Sequence, residues 1–161
     1  MFGFFNKRKE ERPNLPSLPR RDDALAKTAD LVRATGDCAK AEGDGMILMF
    51  RSGILQPQQF FPGFLKSEVF ILVKYFNSLN APLFLNHPDG APRLALFTSP
   101  ERAKGTQEKH PEYSYAVKAP CQQILAGLPA GNGLVMNPGS EAVTFQMAPD
   151  QFARFKADFM G

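Results

Sequence analysis

The chain has 161 residues, with 43% hydrophobic and 22% charged side chains, two cysteines, two histidines and a formal net charge of +3. That length and composition fit one folded domain and exclude a disordered chain, while two cysteines exclude a disulfide framework. Residues 1–21 carry six basic and two acidic groups and the remainder 13 basic and 14 acidic, so the body lacks the basic face of a nucleic-acid-binding protein and no nucleic-acid partner is expected.

The first segment, MFGFFNKRKEERPNLPSLPRR, joins aromatics, a charge cluster and three spaced prolines, and reads as a flexible basic arm over residues 1–21. Its apolar start is too short for a signal peptide and no 18-residue apolar run follows, so an intracellular, non-membrane chain is expected. Residues 22–161 read as a single domain. Asp22 or Asp23 caps a predicted helix reaching about Glu42, with Leu25, Ala29, Val32 and Ala39 on one stripe and Gly43-Asp44-Gly45 as its stop. Met46 to Phe50 suits strand or helix equally.

Phe60, Phe61, Phe64 and Leu65 recur at helical spacing between Gln56 and Lys66, where Pro57 and Pro62 allow a first turn and a short continuation. Val69 to Val73 is β-branched and aromatic without alternation, the pattern of a central strand covered on both faces. Pro82 to Asn86 and Arg93 to Phe97 flank His87-Pro88-Asp89-Gly90, whose Asp-Gly pair supplies a hairpin turn. Ser99-Pro100-Glu101 is a helix start: an N-cap, a proline with helical φ, and a carboxylate at the positive end of the dipole. A polar loop around Gly105 to Pro111 leads to an alternating strand, Tyr113 to Val117, and a short helix over Pro120 to Leu128. Leu134 to Met136 and Val143 to Met147 flank Asn137-Pro138-Gly139-Ser140, where Pro-Gly fits a type II turn. Pro149 opens a last helix with Phe152, Phe155 and Phe159 on one stripe. The fold class is α+β, one domain with a mixed or mainly antiparallel sheet and short helices.

Three strings resemble the SseB-type domain, a family associated with enhanced serine sensitivity: SEVFILV (Ser67 to Val73), PLFLNHPDGAPRLALFTSPERA (Pro82 to Ala103), and GLVMNPGS (Gly133 to Ser140) followed by AVTFQMAPDQF (Ala142 to Phe152). The resemblance covers roughly residues 60–155. It implies a mixed α+β domain of a bacterial cytoplasmic protein without established enzymatic activity, in a family sometimes discussed beside secretion components.

No catalytic set, cofactor or metal is expected from the residues themselves. His87 and His110 sit beside prolines in loops, and Cys121 has no base at a patterned distance. Gly127 to Gly139 lacks both phosphate-loop patterns. The expected function is therefore a non-enzymatic protein-interaction or regulatory domain. The alternative is a sensor of a small anion such as an amino acid, with Thr98, Ser99, Arg102, Asn137 and Ser140 as the candidate binding surface beside free backbone N–H groups. A third reading gives the arm, through Phe4, Phe5, Lys7, Arg8 and Lys9, peripheral contact with an anionic membrane or a secretion-associated role.

Overall fold

A computed structural model describes residues 42–76, 79 and 81–161. The predicted helix from Asp22 or Asp23 and the basic arm lie outside the described residues. The first described helix, α1, spans Glu42–Arg51 and runs straight through the expected Gly43-Asp44-Gly45 stop. Tertiary contacts override the local glycine signal here: a Cβ on Gly43 would stand 2.8 Å from Thr98 Cγ2, so glycine lets the helix approach the strand end. Met46 to Phe50 is thereby helical, with Ile47 and Leu48 buried.

Helix α2, Pro57–Lys66, begins with Pro57 in its first turn, where a missing N–H is harmless. It continues past Pro62 as ten residues, longer than two prolines suggested, because Phe60, Phe64 and Leu65 are buried along one face. Strand β1, Glu68–Val73, follows directly. After it come β2, Phe84–Asn86, and β3, Pro92–Phe97, an antiparallel hairpin with Phe84 opposite Leu94. Gly90 at its turn has φ +82, a conformation that glycine adopts without strain.

Helix α3, Pro100–Lys109, starts at the expected Ser-Pro-Glu signal and then runs through Gly105, so the polar loop contracts to the residues after His110. Burial of Ala103 and Thr106 on one side of the helix outweighs the propensity cost of one glycine, about 1 kcal/mol. Strand β4, Tyr115–Pro120, lies two residues later than alternation indicated. Helix α4, Cys121–Ala126, is followed by β5, Gly133–Met136. A 3₁₀ turn, Glu141–Val143, precedes β6, Phe145–Met147, so Val143 lies outside the strand expected to contain it. Helix α5, Pro149–Phe159, closes the chain with Phe152 and Phe155 buried.

The strands form one six-stranded mixed sheet in the order β4-β1-β3-β5-β6, with β2 also on β3. Only β3 and β5 are parallel; the other pairs are antiparallel. The centre is β3, which pairs with three strands, rather than β1, which lies between β4 and β3. One sheet face, with Val69, Ile71, Leu94, Leu96 and Leu134, packs under α1, α2, α4 and α5. Leu72, Ala95 and Phe97 on the other face meet Ala103 of α3. The helical side is aromatic: Phe60 is stacked on Phe50 at 4.3 Å and set edge-on to Phe145 at 5.5 Å. No helix of the described residues is long and apolar enough to cross a membrane.

Candidate functional site

The parallel pairing of β3 with β5 brings their C-terminal ends side by side, and the polar residues that follow them meet there. Asn137 continues the ladder by donating its N–H to Leu96 O at 2.8 Å. It then turns off with φ 49, the left-handed region that asparagine tolerates better than most side chains. Its Oδ1 accepts the Thr98 backbone N–H at 2.9 Å, and its Nδ2 donates to Val143 O at 3.0 Å and Thr98 Oγ1 at 3.1 Å. Ser99 caps α3 by accepting the Arg102 N–H at 3.3 Å.

At the middle of this cluster is a carboxylate that the sequence pattern did not point to. Asp44 is fully buried. Its Oδ2 accepts Nε and Nη2 of Arg102 at 3.2 and 3.1 Å; its Oδ1 accepts Asn137 Nδ2 at 3.3 Å and the Thr98 hydroxyl. Thr98, Arg102 and Asn137 therefore do surround an anion, and that anion belongs to α1 of the same chain. A charged group can be buried at this depth because an opposite charge and hydrogen bonds replace its water.

Ser140 stands apart from the network. It closes the Pro138-Gly139 turn, donating its N–H to Asn137 O at 3.1 Å while Gly139 has φ +84, as the third position of a type II turn requires. Beyond it lies a cleft of about 440 Å³ between this turn and α3, bordered by Ser140, Arg102, Thr106, Lys109 and His110. Of the five residues expected to form a binding surface, Arg102 and Ser140 border this cleft and Thr98, Ser99 and Asn137 do not, while Glu101 and Glu108 border it as well. The arm residues Phe4, Phe5, Lys7, Arg8 and Lys9 lie outside the described residues.

Arg93 is a second buried cation that sequence reasoning passed over, although a charged residue inside an apolar strand was the available signal. It lies at the opposite end of β3, 4% exposed, with Asp89 Oδ2 at 2.6 Å and Gln146 Oε1 as acceptors. Asp89 is held below the usual carboxylate range first by the Ala91 N–H and then by Arg93 and His87. His87 lies in the loop, as expected, with its Nδ1 3.0 Å from Asp89 Oδ1.

Cys121 opens α4 fully buried, and burial pushes its thiol up to about 12. A thiol this far from ionising at neutral pH is a poor nucleophile. In a Cys38→Ser background, labelling of folded protein with iodoacetamide at about pH 8 is expected to be at least about 100-fold slower than labelling of urea-unfolded protein. Similar rates in the two states would contradict the buried placement.

A family model described as the SseB protein N-terminal domain matches residues 55–153. No curated protein and no solved structure shows significant similarity to the chain. The matched segment runs from the turn before α2 into α5 and contains Thr98, Arg102 and Asn137, although not Asp44. Since the match covers more than half of the sequence, the chain belongs to the SseB protein N-terminal domain family.

Proposed function

We propose that this chain is a non-enzymatic protein-interaction or regulatory domain, acting in the cytoplasm of a bacterium. The observation that carries the reading is the internal use of its best polar constellation. The guanidinium, amide and hydroxyl gathered at the strand ends hold Asp44, an architectural task that attaches α1 to the sheet. Cys121 is buried with a raised pKa, which disfavours it as a nucleophile.

A second reading, a sensor of small anions, is favoured by one observation: the cleft between α3 and the Pro138-Gly139 turn. Its 440 Å³ lies within the range of small-ligand sites, and Lys109 and His110 supply cationic or hydrogen-bonding groups on a border that Glu101 and Glu108 share, which suits a ligand carrying both charges, such as an amino acid, better than a simple anion. Arg102→Ala and Asn137→Ala do not separate the readings, since both side chains hold Asp44 and their loss lowers stability in either case. Lys109→Ala does separate them, because Lys109 is exposed.

Thermal-shift measurement against single amino acids, nucleotides and phosphate is the test. The interaction-domain reading expects no ligand-dependent shift. A rise in Tm that grows with ligand concentration, equivalent to about 2.7 kcal/mol at a hundredfold excess over Kd, and that disappears in Lys109→Ala, would replace it with the sensor reading.

A further inference from the structure

The open edge of the sheet carries a pattern that the cleft and the Asp44 network do not explain. Strand β4 pairs with β1 from Glu68↔Pro120 to Val73↔Tyr115, and among the described residues it has no strand on its other side. Cys121 donates its N–H to Ser67 O at 3.0 Å, which extends the same register by one pair. In an antiparallel ladder every second residue bonds inward, so Tyr115, Val117 and Ala119 face β1. Ala116 and Lys118 therefore direct N–H and C=O outward. Pro120 falls in the outward phase as well, where its missing N–H costs the ladder nothing.

At this edge Tyr115, 43% exposed, opens β4, and Phe76, 69% exposed, lies against it. Phe76 lies 5.6 Å from Tyr115, ring to ring. The chain has three tyrosines, Tyr75, Tyr113 and Tyr115, and all lie at the end of β1 or the start of β4. Aromatic residues of this kind are enriched where proteins meet.

We propose that β4 is a self-association edge, pairing antiparallel with β4 of a second copy across a two-fold axis at Val117. A second copy fits because the edge is complementary to itself. In this register Ala116 and the partner's Lys118 exchange both backbone hydrogen bonds, and the two-fold repeats the exchange. Each Lys118 stands opposite an alanine rather than its own copy and brings its ion-pair partner Glu68, so the axis confronts no bare like charges. Pro120 meets Ser114 at the end of the ladder, where its lost donor removes a terminal bond. Lysine and proline guard an edge against indiscriminate pairing; this register accommodates both. Tyr115 and Phe76 flank the ladder at each end.

Sedimentation equilibrium on the full chain up to about 100 µM, the range of a weak but specific dimer, tests the proposal. The expected result is a reversible rise toward twice 17.8 kDa. Lys118→Pro removes an outward N–H together with the Glu68 ion pair and is expected to weaken the dimer at least about tenfold, whereas Lys118→Ala, which loses the ion pair and keeps the N–H, should weaken it less. Phe76→Ser, at a side chain too exposed to support the core, is expected to weaken it too, which keeps the test sound should Lys118→Pro misfold. Val117→Cys in a Cys38→Ser background is expected to form an intermolecular disulfide at the axis under mild oxidation. A chain that stays monomeric at that concentration overturns the proposal. So does a dimer that Phe76→Ser leaves intact and Val117→Cys does not cross-link, or a strand supplied by a different protein in place of the second copy.

Discussion

Asp44→Ala is expected to destabilise the protein by about 3–5 kcal/mol, the usual cost of removing one member of a buried ion pair. The loss is large because the carboxylate is fully buried and the Arg102 side chain is 7% exposed, so water cannot readily replace the missing acceptor. Thr98 and Asn137 lose an acceptor in the same step. Against a total stability of about 5–15 kcal/mol for a typical domain, this is much of the margin. Asp44→Asn should cost less, since it keeps the shape and one acceptor oxygen but sets an NH₂ group or an uncharged oxygen before the guanidinium. The double variant Asp44→Ala/Arg102→Met should recover part of the loss, because an apolar replacement takes away a buried guanidinium that has lost the Asp44 carboxylate. Urea denaturation of the three variants measures this. A single variant within about 0.5 kcal/mol of the parent, the range of an ordinary surface change, would show that the network does not hold α1 in place.

Phe60→Ala is expected to cost about 3–5 kcal/mol, through lost apolar contact and the cavity left behind. Phe60 is fully buried and lies among four rings, with centroids 4.3 Å from Phe50, 5.2 Å from Phe61, 5.7 Å from Phe64 and 5.5 Å from Phe145. It joins α1, α2 and β6 in one contact set, so its removal loosens three elements and the site cannot collapse cheaply. Phe60→Leu, which keeps much of the volume, should lose less than half as much. In urea the midpoint should fall with the slope unchanged, as for a stability change without altered compactness. A loss below about 1 kcal/mol would mean that the neighbouring rings close over the gap.

The elements that were legible in sequence are those where local chemistry and burial agree. Val69 to Val73 reads as a strand and is one; Ser99-Pro100-Glu101 reads as a helix start, and Ser99 caps α3; Pro149 opens α5 with its phenylalanines inward. The misses lie where a distant contact decides. Gly43 and Gly45 look like a stop, yet the helix persists because Gly43 must pass close to Thr98 and because Asp44 has partners 54 to 93 residues away. The late strand β4 follows its register against β1, which its own alternation could not convey. At the candidate site, Thr98, Arg102 and Asn137 could be grouped because each follows the end of a strand, and parallel pairing puts those ends together. The anion they hold could not be anticipated, since nothing in a Gly-Asp-Gly string specifies which guanidinium will find it.

The position of Asp44 also separates two units that are easily taken for one. The family segment begins at residue 55 and ends at 153, whereas the cavity built by Thr98, Arg102 and Asn137 is filled from residue 44, and Phe155 completes the core beyond the other boundary. What recurs as a sequence family is thus shorter than what folds as a body in this chain. A gene fusion that carried residues 55–153 into another architecture would therefore import Arg102, Thr98 and Asn137 without the Asp44 carboxylate that joins them here, and the order this carboxylate gives to the strand ends would stay behind with α1.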